Sequence, residues 1–455
     1  MRAVIFPELN VARTPLRRAC SLGTVFSVSC FFLIAEIPST EAKILRVRQD
    51  GTGDHTTIQA GIDALAPGDQ CLVGPGVYPE RLAFPAGKSG TALAWTIVQA
   101  EKPGTVRIQG ADTANCNYLR LQGFEIAPPA TETNAGIAIH SSYVEIVSNE
   151  LHDFPQIALA GTGSHVTVRG NRISRCGSGM DIAGDQWLVD GNSIERLQPA
   201  TGGEAYDLRF VGESHLIRSN HLSGTVASEV GASQITGFQT ADRFGQSARH
   251  IVIENNLLEG FYHRGVSLNA GVYSNSFDVI VRNNLFIAPA VSGISVAGNL
   301  REVKVYNNTI INAGNFGVRF TDHSSGEIRN NVLFSKNATT SQTELPLLMY
   351  SADASSNVSG GQNLLYVQDR TLSATQFPND LVNQDPKFVS LVTGNYRLRP
   401  GSPGINAGVK LTGFNYDFNG LERPQGSAWD MGAYEFSNNA IQNRPAPPGN
   451  LRFKH

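Results

Sequence analysis

Residues 279–286 read V-I-V-R-N-N-L-F and residues 303–310 read V-K-V-Y-N-N-T-I. Each alternates apolar and polar residues, reaches an Asn, and resumes with an apolar residue. The same phrase occurs around Asn149, Asn171, Asn192, Asn220, Asn256 and Asn331. Successive Asn residues, from Asn149 through Asn284 and Asn308 to Asn331, are 22, 21, 28, 36, 28, 24 and 23 positions apart. Period-two alternation over four to five residues is the pattern of a short strand. A unit of two or three such strands cannot bury a face by itself. Repeated and stacked, it makes a solenoid with one continuous core. The expected fold is all-β, a right-handed parallel β-helix with a short N-terminal capping helix. Each Asn is expected at a corner, where Asn tolerates left-handed backbone and stacked amides can bond to one another.

A second strand follows each Asn phrase, as in G-I-A-I-H (136–140), G-M-D-I-A (179–183), G-V-S-L-N (265–269) and G-I-S-V-A (293–297). Composition agrees with a turn-rich β protein: charged residues are only 16% against an ordinary ~25%, and there are 46 glycines. The net charge of −3 has no basic block behind it, so nucleic acid is not an expected partner.

Residues 1–42 carry Arg13, Arg17 and Arg18 before an apolar stretch (19–35) and end in Thr40-Glu41-Ala42. This is the pattern of a secretory signal peptide. The expected location is therefore outside the cytoplasm, in the periplasm, at the cell surface or secreted. No membrane span is expected in the mature chain, which is expected to be a monomer. Cys71, Cys116 and Cys176 have no zinc spacing and read as small core hydrophobes.

With these phrases in hand, the chain resembles the pectin-lyase-like superfamily of right-handed β-helix proteins. D-G-T-G-D-H-T-T-I-Q-A-G-I-D-A-L (50–65) is similar to that family's opening segment, whose Ile58/Ile62/Leu65 helix would cap the core. G-N-Y-R-L-R-P-G-S-P-G-I-N-A-G (394–408), D-F-N-G-L-E-R-P (417–424) and D-M-G-A-Y-E (430–435) resemble the choice-of-anchor Q region of bacterial surface β-helix proteins. The expected organisation is a signal peptide (1–42), β-helix (43–385), C-terminal cap region (386–437) and Pro-rich tail (438–455). The resemblance implies a polysaccharide partner but no single activity, because the superfamily holds lyases, hydrolases, esterases, epimerases and binders.

Alternation assigns Tyr206 and Leu208, like Val266 and Leu268, to the core. It assigns Asp181, Asp207, Arg209, Gln239 and Asn269 to the outer face. The longest coils, 192–220 and 220–256, lie at the same place, and solenoid insertions often surround a binding face. The expected catalytic residues are Asp207, Asp181, Arg209, His263 and Arg264. Gln239, Asn269, Tyr262, Glu204, Asp242 and Arg243 are expected to bind substrate, with Tyr262 stacking on a sugar. Two carboxylates on adjacent coils, Asp181 and Asp207, would split acid and base roles. No cofactor is required; Ca²⁺ through Asp417, Asn419 and Asp430 is the candidate metal, against a simple tying of loops. The chemistry read from this set is lyase or hydrolase action on an acidic or neutral glycan. A non-catalytic glycan-binding or surface structural protein and a uronate epimerase are the alternatives.

Overall fold

In the computed structural model, the described residues are 42–129, 134–199, 203–223, 233–240, 246–260, 262–270, 275–336, 350–372 and 377–438. The signal segment and most of the Pro-rich tail lie outside them, as do Asp242 and Arg243. Each coil contributes up to three short strands, and like strands of successive coils pair in parallel. Three long sheets result, of 14, 13 and 11 strands among the described residues. The first sheet holds strands that lead into the Asn, such as Thr167–Arg169. The second holds those that follow it, such as Arg172–Ser174. The third holds the second-strand set, such as Ser178–Ile182.

The core is a stack of Ile, Val, Leu and Phe from all three sheets, most of them fully buried. At the N-terminal end the helix Ile58–Ala64, capped by the Thr57 hydroxyl, buries Ile58, Ile62 and the following Leu65 over the first coil. This is the capping helix expected from the sequence.

The corner asparagines form one unbroken ladder. The Asn192 backbone N–H and side-chain amide both donate to Oδ1 of Asn220, at 2.9 and 3.0 Å. Its amide also donates to the carbonyl of Val168 at 2.8 Å. The pattern repeats from Asn149 through Asn171, Asn220, Asn256, Asn284, Asn308 and Asn331, and continues to Asn363 and Asp380. Buried amides are thereby satisfied, each bond contributing about 1 kcal/mol net. One expectation is corrected. The left-handed residue is the one before the ladder Asn: Ser148, Gly170, Gly191, Ser219, Asn255, Asn283, Asn307 and Asn330, with φ between 50° and 65°. The ladder Asn itself supplies hydrogen bonds; its neighbour supplies the turn.

The C-terminal region lies along the outer face of the second sheet. Phe388, Tyr396, Leu398, Phe418, Met431 and Ala433 form a second core with Ile311, Val332, Phe334 and Leu364 of that sheet. Asn283 and Asn307 hold it by donating to the carbonyls of Tyr416 and Asp430. Arg423 and Glu435, both fully buried, pair at 2.9 Å inside it. No described residue of this second core comes from the third sheet.

Candidate functional site

Strands of the third sheet lengthen in the middle of the solenoid. Glu204–Phe210, Gln234–Thr240, Arg264–Ala270 and Ser292–Gly298 each span seven residues, against three in Ile137–Ile139. Their register places Ala138, Ala160, Asp181, Arg209, Gln239, Ser267, Ser295 and Arg319 in one outward row. A parallel row, three residues earlier in each strand, runs Tyr206, Thr236, Arg264, Ser292, Phe316.

This register corrects three expectations. Asp207 does not face outward. It falls in step with Gly179, Gly237, Gly265 and Gly293, at a bend where two consecutive residues, Asp207 and Leu208, are both buried. A Cβ at Gly237, Gly265 or Gly293 would press on the core side chains Leu258, Phe286 and Ile310, so this position aims inward. Asp207 is 1% exposed and neither carboxyl oxygen has a hydrogen-bond partner. Burial alone pushes its pKa well above the ordinary carboxylate value. It cannot serve as an accessible acid or base. Tyr206, expected in the core, takes an outward place beside Arg209. Tyr262, expected to stack on sugars, is 1% exposed and belongs to the core.

The outward neighbour of Asp181 is therefore Arg209, and no pair of adjacent carboxylates exists there. Arg209 reaches Asp181 at 2.6 Å through one terminal nitrogen and at 3.3 Å through Nε. The same guanidinium lies 4.1 Å from the centre of the Tyr206 ring. The Tyr206 hydroxyl donates to Asp181 at 3.4 Å. Burial raises the Asp181 pKa, and the charge and hydrogen bonds of Arg209 only partly oppose it. Burial, helped by the negative charge of Asp181, pushes Tyr206 up to about 12. Asp181, Arg209 and Tyr206 form a locked, half-buried unit at one end of the rows.

At the other end the polar groups are not locked. Burial and the charge of Arg264 depress the His263 pKa, which keeps the imidazole neutral at pH 7. Its Nδ1 is buried without a partner. Glu204 is exposed and offsets part of the effect on both His263 and Arg264 at longer range. Gln239 is half-buried between the two groups, and Asn269 is exposed at a strand end. Elsewhere on the solenoid, outward charges of neighbouring coils are paired. Arg172 bonds Glu150 at 2.6 Å, Arg282 bonds Glu254 at 2.7 Å, and Lys304 bonds Asp278 at 2.6 Å.

Tyr206, Ser292 and Arg319 also stand in these two rows and were not among the candidate residues expected from the sequence. The signal was present in the seven-residue strand length, which leaves room for a bend that shifts the alternation by one. A cavity of about 590 Å³ lies elsewhere, in the C-terminal region between Arg397, Asn419 and Phe436. The acids in and near it are occupied. Asp417 accepts from the backbone of Asn419, Leu421 and Glu435, and Asp430 from Asn406 and Phe436. Asp417 and Asp430 thus tie loops, and no cluster of metal-ligating side chains occurs among the described residues.

Comparison with known proteins bears on the fold. The family model described as "Right handed beta helix region" matches residues 222–333. The fold is a right-handed parallel β-helix. Among solved structures, the complex of XylC with xylose is similar at a TM-score of 0.57 and 10% identity, over 87% of this chain and 98% of that one. Pectate lyase Pel9A gives 0.49 and 19% identity, over 87% and 96%. A rhamnogalacturonan lyase gives 0.47 and 14% identity, over 79% and 96%. A search of curated protein sequences finds no match. No described helix is long and apolar enough to cross a membrane.

Proposed function

We propose that the outward face of the third sheet, from Asp181 to Arg319, holds a polysaccharide and that the protein acts on it. One observation carries the reading: most charges on the outer faces of the other two sheets are paired coil to coil, while this face, beyond the Asp181–Arg209 pair, keeps Arg264 and Arg319 without an ion-pair partner among the described residues, beside the two longest coils. A rigid row of strands ~4.8 Å apart presents repeated contacts along an extended chain. The C-terminal region covers the second sheet and leaves this face to the ligand.

The geometry favours proton abstraction over two-carboxylate hydrolysis. Hydrolysis needs two carboxyl groups facing one bond. Here Asp207 is withdrawn into the core and Asp181 is held by Arg209. A neutral imidazole beside the face suits a general base, and His263 takes that role. Asp181, Arg209 and Tyr206 position the chain at the other end. The reaction class is therefore a lyase, with glycan binding without turnover as the second reading, favoured by the locked state of Asp181. Incubating the full chain with a panel of polysaccharides and assaying both unsaturated products and new reducing ends tests this. Unsaturated ends support the lyase; reducing ends without unsaturation support a hydrolase; binding without products supports the second reading.

Export through residues 1–42 fits such a substrate. N-terminal sequencing of exported protein should begin near Lys43; retention of residues 1–42 on membrane-bound protein contradicts it.

A further inference from the structure

Val389, Leu391 and Val392 are exposed, and Val392 is 97% exposed. They belong to an antiparallel hairpin of the C-terminal region, in which Phe388–Ser390 pairs with Asn395–Leu398. Alternation divides the hairpin into two faces. Phe388, Tyr396 and Leu398 turn into the second core. Val389, Arg397 and Arg399 are left for the opposite face, and all three line the 590 Å³ cavity. The tip is Leu391-Val392-Thr393-Gly394. Its shape is set by Gly394 at φ 68° and by the Thr393 N–H, which donates to Ser390 Oγ at 3.2 Å. Neither device needs an apolar side chain, and turns ordinarily carry polar or small residues. Basic groups stand at the base of the same hairpin. Lys387 and Arg399 are exposed neighbours: the Arg399 N–H donates to the carbonyl of Lys387 at 3.0 Å. Arg397 lies over the Tyr434 ring at 5.8 Å. Asp385 is the exposed acid beside them. Of the buried acids that line the cavity, Asp417 accepts from three backbone N–H groups and Glu435 pairs with Arg423. The chain passes the cavity at Ser437, and residues 438–455 carry Arg444, Arg452 and Lys454 but no acid.

We propose that this hairpin docks the protein on an anionic lipid surface. Leu391 and Val392 enter the boundary between headgroups and acyl chains, while Lys387, Arg397 and Arg399 hold headgroup phosphates at the mouth of the cavity. Apolar side chains projecting beyond a collar of cations suit that interface, where apolar burial and attraction to anionic lipid add together. Guanidinium groups match phosphate oxygens through paired N–H donors. Other occupants fit less well. A sugar is met by aromatic rings with a polar handle rather than by branched aliphatic tips. A folded partner needs a broad complementary patch, and two side chains at the end of a hairpin do not supply one. The hairpin belongs to the region packed over the second sheet, so docking through it does not call on the third sheet's outer face. The inference is independent of the glycan reading.

The test uses the protein as recovered after export, with vesicles of phosphatidylcholine alone and of an equimolar phosphatidylcholine–phosphatidylglycerol mixture. Co-sedimentation is measured for wild type, Val392→Asp and Arg399→Gln. Both substituted residues are exposed, and melting curves matching wild type separate loss of docking from loss of fold. The expected result is binding to the phosphatidylglycerol vesicles that weakens with salt. Val392→Asp should lose about tenfold or more in affinity, and Arg399→Gln about fivefold. Vesicles of phosphatidylcholine alone should bind far less. No binding to the anionic vesicles overturns the proposal, as does equal binding to both kinds. Variants that bind as wild type overturn it too, since the attachment then lies elsewhere on the chain. Inorganic phosphate bound by the protein without any vesicle binding reduces the site to a small-anion site and overturns the membrane assignment. Self-association without lipid that Val392→Asp abolishes assigns the tip to a second copy of the chain, and likewise overturns it.

Discussion

Asp207 and Gly237 occupy the same position on adjacent coils, at a bend that aims inward. The glycine leaves that space to the core, whereas the aspartate fills it with a carboxyl group that has no partner. Because the folded-state pKa of Asp207 is raised above 3.8, its effect on stability has a definite sign. Below pH 3.8 the group is neutral in both states and adds no pH dependence. Above it the unfolded chain ionises while the folded one resists, so stability falls as pH rises through the raised value.

Asp207→Ala should therefore stabilise the protein. The gain should be about 1–3 kcal/mol at pH 7, the usual cost of an unsatisfied buried polar group, and smaller at pH 4. Melting curves at the two pH values check this. A wild type more stable than Asp207→Ala at pH 7 would place a partner on that carboxyl group.

At each corner two adjacent residues have different tasks. Asn220→Ala removes an acceptor for two donors of Asn192 and a donor to Val189. It should cost roughly 2–4 kcal/mol, since several buried groups lose partners. Ser219→Gly, at φ 56°, should be neutral or mildly stabilising. Denaturant melts of the two variants decide; equal losses would contradict this division.

Leu268 is fully buried and Ser267 is outward. Leu268→Asp should cost several kcal/mol by burying an unpaired charge, whereas Ser267→Asp should fold normally. Equal melting temperatures would show the rows assigned to the wrong faces.

If His263 is the base, turnover should need its neutral form. Its pKa lies below the ordinary 6.5, so activity should persist into mildly acidic solution and fall only as pH drops through that lowered value. His263→Gln should lose turnover by 100-fold or more, on the order of what general-base catalysis supplies, with glycan affinity nearly unchanged. A pH profile unaltered in shape by His263→Gln would remove it from the mechanism.

The solenoid was legible because its signal is repeated: eight Asn phrases, each with its own alternation, point to one corner. The capping helix was legible from Ile58, Ile62 and Leu65. The register of the third sheet was legible where strands are short, as at Met180 and Ile182. In A-Y-D-L-R-F (205–210) it was not, because the bend buries Asp207 and Leu208 in succession and period-two reading has no place for that step. Tyr206 and Asp207 consequently exchanged roles. What sequence alone could not supply was the pairing of other charges, against which Arg264 and Arg319 are exceptional.

The most direct test of the central claim, that the third sheet's outer face holds the glycan, compares Ser295→Glu with Ser193→Glu. Ser295 lies in the middle of that face, and Ser193 lies on the second sheet beside Arg172. The substitution is the same, and both sites are partly exposed. Affinity for a uronate oligosaccharide, measured on the full chains, should fall by at least tenfold, on the order of one lost charged contact, in Ser295→Glu only, with both proteins melting as wild type. Undiminished binding by Ser295→Glu, or equal loss in both variants, would contradict the account.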